Sequence, residues 1–262
     1  MLSIENISIE YQKRDAVVQA FNLEVKKGQI VSLVGESGSG KTSVIRAAMG
    51  LLPSGGKVTK GDIRFDGDSV MNYSRKEWDQ FRGSRISMIF QDSGAMINPI
   101  RKIGHQFIEY IRSHDTMSKK DAWDMGREML ERMQLPNGEH IMHSYPFELS
   151  GGMRQRVGIA MAMTFQPQLL LADEPTSALD VTTQAQIVSQ MMDLRAEFGT
   201  GLVIVTHNLG VAAYMSDKII VMRDGEIVDE GDRESILKNP ASEYTKRLIA
   251  SVPTLEGKRY VE

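Results

Sequence analysis

The sequence predicts an α/β fold with a mainly parallel, doubly wound sheet, and three observations carry that prediction. Short, nearly unbroken apolar runs at Ile30–Val34, Ile86–Phe90, Leu169–Ala172, Leu202–Thr206 and Ile219–Met222 have the composition of strands buried on both faces. Helical patterns separate or follow these runs, the order expected of parallel strands joined by crossover helices. A glycine-rich loop joins the first run to a helical stretch at Thr42–Leu52, and sheets of this kind place their ligands at the carboxyl ends of strands.

The remaining elements follow in order. Alternation in Leu2–Ile9 and again in 21–25 predicts two half-exposed strands, separated from the buried run by a Lys27-Gly28 turn. Pro53-Ser54-Gly55-Gly56 breaks the first helix. Asp62–Phe65 reads as an edge strand entering a tight Asp66-Gly67 turn. Ser74 with Glu77 three residues on forms a capping box. From about 92 to 165 the character changes: Ile103, Phe107, Ile108 and Ile111 have helical spacing, as do Met125, Met129 and Met133 in a helix opened by Ser118. This segment reads as a helical insertion, with the Met stripe filling core. Asp224-Gly225 marks a hairpin, Pro240 separates two short helices, and about 251–262 is a polar tail. There is no internal repeat, so 1–262 reads as one domain.

Composition narrows the function classes. With 262 residues and 41% hydrophobic content, the chain can bury a sizeable core. Its formal net charge of -3 supplies no positive field for a nucleic-acid backbone. It has no cysteine, which excludes disulfides and thiolate metal sites and is compatible with a reducing cytoplasm. The start, MLSIENISIE, does not have the pattern of a signal peptide, and no apolar run reaches the ~18–20 residues that span a bilayer. Any service to a membrane must therefore come through docking on a partner.

The chemistry starts at Gly35-Glu36-Ser37-Gly38-Ser39-Gly40-Lys41-Thr42, which matches G-x-x-x-x-G-K-[ST] between a strand and a helix. Glycines let successive N–H groups turn inward, and with the helix N-terminus they form an anion nest for phosphates. Lys41 can reach β- and γ-phosphates, the Thr42 hydroxyl can bind magnesium, and Ser43 can reach an α-phosphate. Asp173 and Glu174 end the Leu169–Ala172 run. Two acids at the end of an apolar strand are costly to desolvate unless a cation compensates. Asp173 can hold Mg2+, directly or through water, while Glu174 can polarise an attacking water. These residues predict that ATP with magnesium is bound and hydrolysed.

Leu149-Ser150-Gly151-Gly152-Met153-Arg154-Gln155-Arg156 closely resembles the signature motif of ATP-binding cassette (ABC) ATPases, with Met where Gln is common. It lies between the phosphate loop and the Asp-Glu pair, in the family's order. By the same resemblance Gln91 matches the Q-loop glutamine, Ser177-Ala178-Leu179-Asp180 the D-loop, His207 the switch histidine, and Tyr11 the aromatic that stacks on adenine. The fold implied is a P-loop NTPase with a RecA-like core sheet, an N-terminal antiparallel β subdomain and an inserted α-helical subdomain. The resemblance assigns Glu174, His207 and Gln91 to catalysis, and Thr42, Gln91 and Asp173 to the metal. It also implies that Ser150, Gly151 and Gly152 bind the γ-phosphate of ATP held by the opposite subunit, so that ATP joins a head-to-tail dimer.

A finer resemblance is to the ATPase subunits of oligopeptide, dipeptide and nickel importers. It rests on Gln91-Asp92, Ile97-Asn98-Pro99, Ile103-Gly104, Tyr145-Pro146-Phe147-Glu148 before the signature, and Ala172 to Val181. Asp92-Ser93-Gly94-Ala95-Met96 departs from the usual sequence after the glutamine. Many peptide members carry a cysteine-containing C-terminal extension; with no cysteine and a short tail, this chain stands nearer the compact nickel or metal-chelate members. The resemblance implies two membrane permeases as partners, a second ATPase subunit with a heterodimer favoured, an extracellular binding protein that acts indirectly, and a place on the cytoplasmic face of the membrane. A soluble ABC ATPase of DNA repair or translation would bring coiled-coil arms or tandem domains, and neither is visible. A regulatory module without turnover would not need Glu174 and His207.

Overall fold

The structure is a computed structural model that describes residues 1–12, 16–91, 93–177, 179–251, 254–255 and 258–259. Asp92 and Ala178, both quoted for the resemblance, lie outside the described residues, as does part of the polar tail. The chain divides into two compact units, Met1–Trp78 with Gly201–Glu262, and Asp79–Thr200.

The first unit begins with β1 (Leu2–Tyr11), β2 (Val18–Val25), β3 (Ile30–Val34), α1 (Lys41–Ala48), β4 (Gly56–Phe65) and β5 (Asp68–Ser69). Helix α2 (Arg75–Phe81) carries the chain into the second unit. There follow β6 (Ile86–Ile89), α3 (Ser93–Met96), α4 (Ile103–His114), α5 (Lys119–Arg132), α6 (Gly138–His143), a single 3₁₀ turn at Pro146–Glu148, α7 (Gly151–Met163), β7 (Leu169–Asp173) and α8 (Val181–Phe198). The first unit resumes with β8 (Gly201–Thr206), α9 (Leu209–Met215), β9 (Lys218–Arg223), β10 (Glu226–Gly231), α10 (Arg233–Lys238) and α11 (Glu243–Ala250), and ends in a short pair, β11 (Thr254–Leu255) with β12 (Lys258–Arg259).

In the first unit β3 pairs in parallel with both β8 and β9, and β10 runs antiparallel outside β9. All five residues of β3 are buried, as the unbroken apolar run requires. Val34, Val221, Ala212, Ile236, Tyr244 and Ile249 form one apolar cluster, so α9, α10 and α11 cover a face of this sheet. A second, antiparallel sheet has the order β2-β1-β4-β5. The two Asp-Gly turns have the backbone signs of tight hairpins: Asp66 and Gly67 at φ 52° and 91°, Asp224 and Gly225 at φ 51° and 85°.

Several boundaries differ from expectation, among them that of β2, which starts at Val18 rather than at 21. Helix α1 stops at Ala48, because Gly50 turns left-handed at φ 60° and the Leu51 N–H donates back to the Arg46 carbonyl. Strand β4 starts at Gly56, and its register with β1 runs from Gly56–Tyr11 to Phe65–Leu2. It lies between β1 and β5 rather than at an edge; the polar run 57–62 hid its first half. Strand β6 ends at Ile89, one residue short of the apolar run.

In the second unit β6 and β7 are parallel, in register from Ile86–Leu169 to Ile89–Ala172. The segment between them is helical. Ser118 caps α5 by accepting the Asp121 N–H. Ile103, Phe107 and Ile111 are buried, and Ile108 is half-buried. Met129 and Met133 are buried and Met125 half-buried, so the Met stripe packs into core as expected. Among the described residues, no helix is long and apolar enough to cross a membrane.

Candidate functional site

The first unit positions the phosphate loop at the carboxyl end of β3. Close packing dictates its glycines. A Cβ on Gly35 would lie 2.1 Å from the Met222 carbonyl oxygen, and one on Gly40 would lie 2.7 Å from Val18 Cγ2 in a backbone at φ 97°. Glu36, Ser37 and Gly38 are exposed, while Ser39, Gly40 and Lys41 are buried. The Lys41 ammonium donates to the Gly35 carbonyl at 2.8 Å, the Glu36 carbonyl at 2.6 Å and Ser39 Oγ at 3.0 Å. These acceptors hold a buried ammonium in place within a loop whose backbone seeks anions. Gly40 precedes the first turn of α1, whose N–H groups and dipole favour negative charge.

Three further residues of this unit were expected at the site. Tyr11 ends β1, and its hydroxyl lies 3.1 Å from Ser43 Oγ. With Tyr11 donating, the Ser43 hydroxyl proton stays available for a phosphate oxygen. Thr42, the next residue to Lys41, is half-buried. His207 is exposed and directly follows β8; because Val34 pairs with Thr206, Gly35 and His207 leave adjacent parallel strands at the same end. The unit thus brings the loop and the histidine to one sheet edge.

One contact to the loop escaped sequence reasoning. The Tyr244 hydroxyl, on α11, accepts the Glu36 N–H at 2.9 Å, across 208 residues of chain. No local signal marks such a pairing.

The second unit presents the acids. Asp173 is the last residue of β7 and is 3% exposed. Glu174 follows at φ 46°, a left-handed conformation that costs a non-glycine residue of order 1–3 kcal/mol and persists where surroundings enforce it. Gln91 stands two residues beyond β6, and its Nε2 donates to Glu174 Oε2 at 3.3 Å. The structure therefore joins Gln91 and Glu174 at the carboxyl end of a parallel pair. Among the described residues no group of three or more His, Asp or Glu could hold a metal by itself. A single carboxylate such as that of Asp173 suits a hard cation that draws its remaining oxygens from elsewhere, as magnesium does from phosphates.

The Ser-Gly-Gly run opens α7 as its pattern predicts. Ser150 is the N-cap and accepts the Met153 N–H at 3.2 Å. A Cβ on Gly151 would meet nothing within 4 Å, leaving room at the helix start, whereas one on Gly152 would lie 2.7 Å from Thr183 Cγ2 on α8. Asp180 caps α8, accepting the Thr183 N–H at 3.0 Å and its hydroxyl at 2.7 Å. Those two donors hold the Asp180 carboxyl below the usual carboxylate range. The first turns of α7 and α8 therefore meet through Gly152 and Thr183.

Known proteins resemble this chain in sequence and in fold. A family model described as ABC transporter matches residues 18–177. The oligopeptide transport ATP-binding protein OppD of Bacillus subtilis is 42% identical over 261 residues, covering 98% of this chain and 73% of that protein. The dipeptide transport ATP-binding protein DppD of Lactococcus lactis is 39% identical, covering 98% of this chain and 75% of its own. Among solved structures, the dimeric post-hydrolysis state of the ATP-binding cassette MJ0796 bound to ADP and Pi is 29% identical with a TM-score of 0.78, covering 89% of this chain and 99% of that one. The α/β architecture is that of a P-loop NTPase, and the chain belongs to the ABC transporter family of ATP-binding proteins.

Proposed function

We propose that this chain is the ATP-binding and ATP-hydrolysing subunit of an importer, working as a single ABC ATPase domain over 1–262 with a helical subdomain at about 92–165 and a tail at about 251–262. The observation that carries the reading is the phosphate loop, with the buried Lys41 ammonium held among the Gly35 and Glu36 carbonyls and Ser39 Oγ. Lys41 meets the β- and γ-phosphates, the loop from Glu36 to Thr42 forms the anion nest, and Ser43 meets the α-phosphate. Tyr11 stacks on adenine. Thr42, Gln91 and Asp173 would hold magnesium, which would neutralise charge on the phosphates. Glu174 orients and deprotonates the attacking water, Gln91 holds the carboxylate, and His207 stabilises the γ-phosphate. Ser150, Gly151, Gly152 and Asp180 serve the partner subunit's nucleotide. The test is Lys41→Ala: nucleotide affinity falls by about tenfold or more, because the lysine supplies the charge at the phosphates. Unchanged affinity by isothermal titration removes the assignment.

The partners are two membrane permeases, with the chain peripheral on the cytoplasmic face, a second and different ATPase subunit, and a substrate-binding protein acting indirectly. Ile100 and Phe147 are 81% and 70% exposed, Ile100 and Tyr145 line one groove of about 230 Å³, and Tyr145 stacks on Phe147 with ring centroids 5.3 Å apart. An exposed apolar patch of this kind suits a protein partner. Photo-crosslinkers at Ile100 and Phe147 capture a permease; capture only from the C-terminal tail overturns this docking. The relatives above bear peptide-transport names, which supports peptides over nickel or metal chelates as cargo.

A further inference from the structure

The strained turn after β7 needs something to hold it, and three side chains do so. The Ser177 N–H and hydroxyl donate to the Glu174 carbonyl at 3.3 and 3.2 Å. Gln184 Nε2, on α8, donates to Thr176 Oγ1 at 2.9 Å, and Thr176 is 5% exposed. Between them Gln155 Nε2, reaching from α7, donates to the Pro175 carbonyl at 2.6 Å; Gln155 is 6% exposed and the bond is buried.

From this geometry we propose that Gln155 is a positioning residue for Glu174. Its amide fixes the peptide next to the one that aims the carboxylate. The inference rests on the reading of Glu174 as the group that activates water. A residue ahead of proline is already restricted, and a left-handed Glu174 is sparsely populated by itself. Without the Gln155 donor, the Pro175 carbonyl becomes a buried acceptor with no amide partner from α7, and the turn gains freedom to leave φ 46°. A carboxylate displaced by even about 1 Å loses much of its catalytic value while the nucleotide site stays intact. Gln155 therefore acts on turnover and not on nucleotide affinity.

The test uses the full chain with its partner ATPase where one is required. Gln155→Met keeps the side-chain length and removes the donor. Its kcat falls by about tenfold to 10²-fold, while KM and the titrated ATP affinity stay within about twofold. In a Glu174→Gln background the same change has almost no further effect on residual turnover, because the group it positions is already gone. Gln155→Glu is the second variant: its acid donates to the Pro175 carbonyl only when protonated, so its activity relative to the native chain declines as pH rises. Native turnover in Gln155→Met, an equal and independent loss in the Glu174→Gln background, or a pH-independent Gln155→Glu ratio each overturns the proposal. Near-native hydrolysis by Glu174→Gln alone instead overturns the assignment of the carboxylate, and the inference falls with it.

Discussion

Glu174 combines a left-handed backbone at φ 46° with a side chain held by Gln91 Nε2 at 3.3 Å. Asp66 and Asp224 take the same backbone sign to close hairpins, whereas Glu174 takes it ahead of Pro175 between β7 and α8, and the proposed role of pointing a water at a phosphate gives that turn a use. Glu174→Gln keeps the shape and leaves an oxygen for Gln91, yet removes the carboxylate proposed as the base. ATP still binds, turnover drops by at least ~10²-fold, and an ATP-bound dimer accumulates on size-exclusion chromatography. Hydrolysis near the native rate means another group activates water. The residue types at this position were legible in the sequence because an apolar strand running into Asp173-Glu174 is a contiguous signal. The conformation of Glu174 was not, because a glutamate carries no mark of left-handed backbone as a glycine does. Nor was the role of Gln155, whose partner Pro175 lies 20 residues away on a different element.

Elements were legible where the signal is local. Both Asp-Gly hairpins, the Ser118 cap and the buried parallel strands follow from neighbouring residues alone. The first half of β4 was not, since 57–62 is polar and its strand form comes from pairing with β1. The link from α11 to the phosphate loop is the extreme case, with Tyr244 and Glu36 at opposite ends of the chain. It makes a C-terminal helix part of the loop's support, and the Arg223 guanidinium 5.3 Å from the Tyr244 ring centre keeps that ring in place. Tyr244→Phe preserves the packing of a side chain that is 5% exposed and removes only the acceptor for the Glu36 N–H. The lost hydrogen bond is worth about 0.5–1.5 kcal/mol, which lowers the melting temperature by a few degrees, and the loosened loop weakens ATP affinity by up to about tenfold. Equal affinity in titrations of the two proteins means that the loop does not depend on α11.

At the scale of the whole molecule, the question is whether one chain suffices. Ser150 already caps α7, so its hydroxyl and the open space at Gly151 form a ready helix-start nest. If that nest serves a γ-phosphate held by another subunit, Ser150→Arg fills it sterically yet leaves nucleotide binding at the chain's own Lys41 almost intact. ATP-driven dimerisation and the hydrolysis that needs it are lost. Mixing separates a shared pocket from a self-contained one. In a head-to-tail pair of one Ser150→Arg chain and one Lys41→Ala chain, each pocket takes its lysine from one subunit and its serine from the other. One pocket then combines the native Lys41 of the first chain with the native Ser150 of the second. The other pocket collects both lesions. Each variant alone is inactive, and the mixture recovers part of the native ATPase rate through its one intact pocket. With self-contained pockets every chain in the mixture keeps its own lesion, and no activity returns. When the native pair is this chain with a different ATPase, the two lesions are placed on the two chains in the same arrangement. Full activity of Ser150→Arg by itself eliminates the shared pocket, and with it the requirement for a second ATPase domain.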